Sequence, residues 1–168
     1  MGTYPGGNIV RVTPTVVAGT THADDVAIAT TAIPNAVANR GGVSLIHNIF
    51  VHDQDVENHD IDIVFLKSNV SLGTINSAVT ADDDEMKDNL LGAIRLDHNE
   101  NTIALASVSS IASFKQIESD SEFGSPFPFM IQAGSGSTDV YFSLIARQEA
   151  DWAATDDLTL IFHIQYLG

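Results

Sequence analysis

The sequence predicts an all-β fold: a single jelly-roll-like β-sandwich over residues 22–168, with one short helix, preceded by an extended N-terminal arm over residues 1–21. Three observations predict it. The first is the stretch Gly41–Ser68, which reads as two strands and an acidic connection. Val43, Leu45, His47, Ile49 and Val51 fall on one face of an extended chain, and Ser44, Ile46, Asn48, Phe50 and His52 on the other. After Asp53–His59 the alternation restarts, with Asp60 and Asp62 outward and Ile61, Ile63 and Phe65 inward, while Val64 and Leu66 make the second face apolar as well. Successive side chains of a strand point to opposite sides, so the pattern describes strands half-buried at one end and buried on both faces at the other. The second observation is the closing stretch, where Leu158, Leu160, Phe162, Ile164 and Tyr166 alternate with Thr159, Ile161, His163 and Gln165. The third is the spacing: short strands with polar turns between them suit a two-sheet sandwich.

In chain order, Gly2–Thr21 is the arm. Pro5, Gly6, Gly7 and Pro14 break regular structure, while its valines and Ile9 give it apolar character to lie on something. Such a segment either adds as an edge strand to its own sheet or reaches a neighbouring subunit, and an ordinary first strand with a frayed end fits the same residues. Asp24–Ala38 gives short β-rich pieces interrupted at Pro34-Asn35, and Arg40-Gly41-Gly42 turns into the paired strands. Asn69–Thr80 is rich in turns. Thr80–Leu90 is the helical piece: a Thr N-cap, carboxylates in the first turn that complement the helix dipole, and Met86 and Leu90 four apart to touch the core. Gly92 ends it. Strands follow at Ala93–Leu96, Thr102–Val108 and Ser113–Ile117. Then comes a Phe-Pro segment, Phe123–Phe129, whose Pro126 and Pro128 confine it to an edge or rim. Met130–Ala133 and the alternation of Val140, Phe142, Leu144 and Ala146 precede the last strand.

Composition bounds the function. A chain of 168 residues suits one domain, which at that size buries roughly 70% of its unfolded surface. With no cysteine there is no disulfide, thiolate metal site or cysteine nucleophile. No apolar run reaches about 18 residues, and the first residues lack the basic and apolar regions of a signal peptide, so the chain is expected to stay or assemble in a cytoplasm without a membrane partner. The 7 Lys+Arg stand against 22 Asp+Glu, a formal net charge of −15, which repels phosphate backbones, so no direct nucleic-acid binding is expected. The same excess favours docking on basic protein surfaces, and a saline habitat produces it equally well.

Chemistry-bearing constellations are few. His52, Asp53, Asp55, Glu57, His59 and Asp60 form the one candidate metal cluster, but it lacks the glycine and spaced bidentate glutamate of an EF-hand, and the His52–His59 spacing suits neither a helical zinc pair nor His-x-His. A solvated acidic loop explains it, and no metal or cofactor is expected. Gly134-Ser135-Gly136-Ser137 lacks the Gly-x-Ser-x-Gly order of a nucleophile elbow, and no phosphate loop is present. His163 has no neighbouring carboxylate in sequence. No catalytic residue is assigned, although two of the many carboxylates could converge across a groove for glycoside chemistry.

Three pieces in fixed order resemble the capsid decoration (cement) proteins of tailed phages: Gly41-Gly42-Val43 leading through a polar loop to Asp60–Leu66; the acidic helix Ala81–Asn89 running into Leu91–Ile94; and Tyr141–Arg147 followed by Trp152–Leu158. The resemblance spans most of the chain after residue 20. It implies a non-enzymatic virion structural protein, assembled in the host cytoplasm, that binds the major capsid protein on the capsid exterior, stabilises the head lattice and forms a homotrimer. The expected capsid or subunit contacts are Ile9, Val10, Arg11, Val12, Val16 and Val17 of the arm with Phe123, Phe127 and Phe129 of the rim, the sandwich folding without the arm. The alternative is a carbohydrate-binding or glycan-hydrolysing β-sandwich module. Against it, Trp152 is the single tryptophan and the tyrosines are scattered.

Overall fold

The computed structural model describes residues 6–55, 59–97, 102–106, 109–113 and 127–167, the two short strands at 102–106 and 109–113 by their backbone alone. Among the described residues, twelve strands and one helix succeed one another: β1 (Gly7–Val12), β2 (Gly19–Thr21), β3 (Val26–Ile33), β4 (Val43–Asp53), β5 (Ile61–Leu66), α1 (Asp83–Asn89), β6 (Leu90–Leu96), β7 (Thr102–Ala106), β8 (Ser109–Ser113), β9 (Phe129–Gln132), β10 (Val140–Ala146), β11 (Ala150–Trp152) and β12 (Leu158–Tyr166). All pairings are antiparallel. One sheet runs β1-β12-β4 and then divides: β9 pairs Val43–Ile46 and β8, followed by β7, pairs Phe50–Asp53. The other runs β3-β10-β5-β6, and β2 with β11 forms a small ribbon. The eight strands β1-β12-β4-β9 and β3-β10-β5-β6 give the interlocked order of a jelly roll, an all-β sandwich as the alternation predicted.

Both sheets feed one core. Ile46, Ile49, Leu160, Phe162 and Ile131 enter from the first sheet, and Ile28, Ile63, Phe65, Phe142 and Leu144 from the second. Phe162 lies at their junction, edge-on to Phe142 at 5.2 Å and to Phe65 at 6.4 Å between ring centroids. β5 is buried along its whole length, as its doubly apolar pattern predicted. Ile61, Ile63 and Phe65 face the main core, whereas Val64 and Leu66 join a second cluster with Val26, Val70, Leu72 and Ile145.

Three local readings are revised. In β4 the buried side chains are Ser44 and Ile46, then Ile49, Val51 and Asp53, so the predicted face holds only in the second half. His163 pairs with Asn48 and Ile164 with Ile46, which leaves His47 as the extra residue of a β-bulge that exchanges the two faces. The helix is capped by Asp82, not Thr80: its carboxylate accepts from Asp84 N–H at 2.9 Å and Glu85 N–H at 3.2 Å. Met86 packs on the second cluster, but Leu90 is already in β6 and 49% exposed. Gly92 lies inside β6 with φ +142°, where a Cβ would stand 3.0 Å from Phe129 Cζ; glycine is what lets the strand bend past that ring.

Of the stretch expected as an arm, β1 is an edge strand of its own chain's sheet, in register from Gly7 opposite Gln165 to Val12 opposite Leu160. Val16 N–H then donates to Thr155 C=O at 3.0 Å, and Val10 and Val16 are part of the main core. The described part of residues 1–21 is therefore laid on the sandwich that follows it.

Candidate interaction surface

The two outer faces of the sandwich differ in what covers them. Over the four-stranded sheet lies the turn-rich segment 70–81. It is tied down by Asn76 N–H to Val26 C=O at 2.8 Å, Val26 N–H to Ser77 C=O at 2.9 Å and Thr30 Oγ1 to Val70 C=O at 2.5 Å. Beside it, Asp62 of β5 holds two arginines. Arg95 Nε donates to Asp62 Oδ1 at 2.7 Å and Arg95 Nη2 to Oδ2 at 3.0 Å, while Arg147 Nε donates to Oδ2 at 2.7 Å and reaches on to Asp24 at 2.5 Å. Burial pushes the Asp62 carboxyl up, but the hydrogen bonds and charges of Arg95 and Arg147 together outweigh it and hold the group below the ordinary carboxylate value.

A pH dependence follows from that sign. A carboxyl depressed in the folded state contributes stability that is present above its unfolded value, near pH 4, and lost as pH falls through the lower folded value. Asp62→Asn is expected to cost about 1–3 kcal/mol at pH 7, less than the roughly 3–5 kcal/mol of a fully buried broken pair because Arg95 remains largely exposed. The gap between variant and parent in urea midpoint should narrow as the pH is lowered from 5 towards 3; a gap that does not change would deny the ion cluster its role.

The outer face of the first sheet carries no such cover among the described residues. Across β1, β12, β4 and β9 the outward positions fall in rows. Gly7, Gln165, Leu45 and Met130 form one; Ile9 and His163 meet the bulge at His47 in the next; Arg11, Ile161 and Phe50 follow; Thr159 and His52 close the face. Ile9 is 51% and Met130 61% exposed. His47 Nε2 and Gln165 Oε1 are 2.5 Å apart, the His163 ring packs at 5.1 Å on Phe50, and both histidines line an open depression with Gly7, Asn8, Ile9 and Ile164. None of these outward positions is an aspartate or glutamate, although the chain has 22.

The contacts expected from the sequence divide. Ile9 and Arg11 stand outward on β1, and Val17 is half-buried. Val10, Val16 and Phe127 instead lie in the core of this chain, at the inward positions of β1 and on the approach to β9. Val12 and Phe129 pack partly against the same core, Phe129 at 5.0 Å from Phe65. Phe123 lies outside the described residues. Sequence reading missed Met130, Ile161 and the three histidines as one surface. The alternation of β12 signalled Ile161 and His163, but their neighbours appear only once the register is known.

In the acidic loop, Asp53 accepts from Asp55 N–H at 3.0 Å, Asp55 accepts from Ala153 N–H, and Asp60 accepts from Gln148 Nε2 at 3.2 Å, so these acids tie the loop to the β11 region; residues 56–58 lie outside the described residues. Among the described residues no group of three or more His, Asp or Glu is placed to hold a metal ion.

No protein-family model matches the chain, and no curated protein matches it. Among solved structures it is similar to a chain of Desmodium yellow mottle tymovirus at 13% identity, covering 98% of this chain and 82% of that one, with a TM-score of 0.28, a likeness too low to carry an argument about fold or function.

Proposed function

We propose that this chain is a virion structural protein that attaches to the outer surface of a phage capsid and stabilises the head lattice, with the major capsid protein as its partner. The observation that carries the reading is the strand order β1-β12-β4-β9 over β3-β10-β5-β6, the jelly roll shared by viral capsid and lectin domains. Its mechanism is mechanical: a rigid two-sheet body bridges neighbouring shell subunits, and area buried at several points resists the pressure of packaged nucleic acid. The acidic surface supports contact with basic patches of such a shell. The three ordered pieces that resemble decoration proteins fall on β4 with β5, on α1 with β6, and on β10 to the start of β12.

The lectin-like alternative is weakened by the aromatic side chains. Trp152 is fully buried against His59, with 4.8 Å between the rings, and offers no platform to a sugar. Tyr141 packs on the second cluster, and Tyr166 donates its hydroxyl to Asn35 C=O at 3.0 Å. Purified chain added to capsids stripped of it should cosediment with them to a fixed saturating ratio. Failure to bind stripped capsids, with binding to a glycan array instead, would overturn the assignment in favour of the alternative.

A further inference from the structure

We propose that the outer face formed by β1, β12, β4 and β9 is the surface on which a second copy of this chain docks, the two faces stacking about a twofold axis. The inference stands on charge and area in the isolated chain and does not depend on the capsid reading. Two copies that each carry −15 repel wherever carboxylates oppose one another. The outward positions of β1, β12, β4 and β9 are free of them, so this face can meet itself without burying like acids. A basic partner would be met by the carboxylates displayed elsewhere, the very groups this face lacks. Arg11, its one permanent charge, stands on the edge strand, at the rim of such a contact.

The face also has the apolar content and the size. Ile9 and Met130 are two of the five large apolar side chains left exposed among the described residues, and Leu167, directly after β12, is a third. Ile161 and Phe50 continue the apolar surface in the row after Ile9, opposite one another in register. Four strands about 4.8 Å apart, of six, nine, eleven and four residues at about 3.4 Å each, make a face of roughly 500 Å², about 1,000 Å² for the pair. Specific interfaces begin near that area. A closed twofold contact is the commonest way to cover such a face.

The test is the mass of the full chain in solution, by sedimentation or light scattering, from about 1 to 100 µM. The expected species is a dimer. Ile161→Asp, which sets carboxylates against each other at the centre, should weaken it by about 100-fold or more. Val79→Asp, at an exposed apolar position remote from this face, should leave it unchanged. Ile9→Asp alters a side chain that is already half in water, so it decides the matter should Ile161→Asp fail to fold by circular dichroism. A chain that stays monomeric at 100 µM, or an assembly of any size that survives the aspartates in a folded variant, overturns the proposal.

Discussion

Deletion of residues 2–20 is expected to unfold the protein or leave it a small fraction of its stability. The deletion removes β1 entirely, and with it the ladder from Gly7 opposite Gln165 to Val12 opposite Leu160. Each hydrogen bond of such a ladder contributes about 0.5–1.5 kcal/mol net. It also removes Val10 and Val16 from the core, where burial of each side chain contributes about 1.5–3 kcal/mol. The inner side of β12, with Leu160 and Phe162, is left open at its edge, and most of β2 is removed from its ribbon with β11. Together these amount to on the order of 5–10 kcal/mol against a total of about 5–15 kcal/mol for a domain. This expected outcome is the opposite of the sequence-based expectation that the sandwich folds without the arm, and it rests on β1 being paired with β12. Urea unfolding followed by far-UV circular dichroism measures the outcome; a truncated chain with an unchanged midpoint would show β1 to be peripheral.

Phe162→Ala is expected to cost about 3–5 kcal/mol, the range for emptying a fully buried aromatic site. Phe162 is wholly excluded from solvent and touches rings of the opposite sheet, Phe65 and Phe142, so the cavity would open where the two sheets meet. Its neighbours are strand residues held by ladders on both sides, which limits how far they can collapse into the gap. Removing the ring also abolishes its edge-to-face pairing with Phe142 and Phe65, which adds to the cost. A measured loss below about 1 kcal/mol would mean that β12 does not face β5 and β10 across the core.

What was legible in the sequence follows from how strictly the period of two is kept. β12 keeps it from Leu158 to Ile164, and its buried and outward sets are those read from the alternation. β4 breaks it at His47, where a bulge set by the register against β12 exchanges the faces; nothing in residues 43–53 alone marks the place. The acidic run before the helix offers several caps in a row, so composition located the helix but not its first residue. Asp62 was readable as an outward acid. That it holds Arg95 and Arg147, 33 and 85 residues away, is a product of the order β10-β5-β6. The acid-free face is invisible for the same reason: its residues come from four separated strands, and only their registration shows that the carboxylates have been kept off one side.

The copy number of this protein in purified virions tests the structural role most directly. Quantitative mass spectrometry of particles, against the major capsid protein as internal standard, should give a fixed integral ratio that is the same across preparations. The ratio should fall to zero when the outer surface is stripped, with the shell left intact. A trace amount that varies between preparations, or complete absence from particles that are otherwise whole, would contradict it.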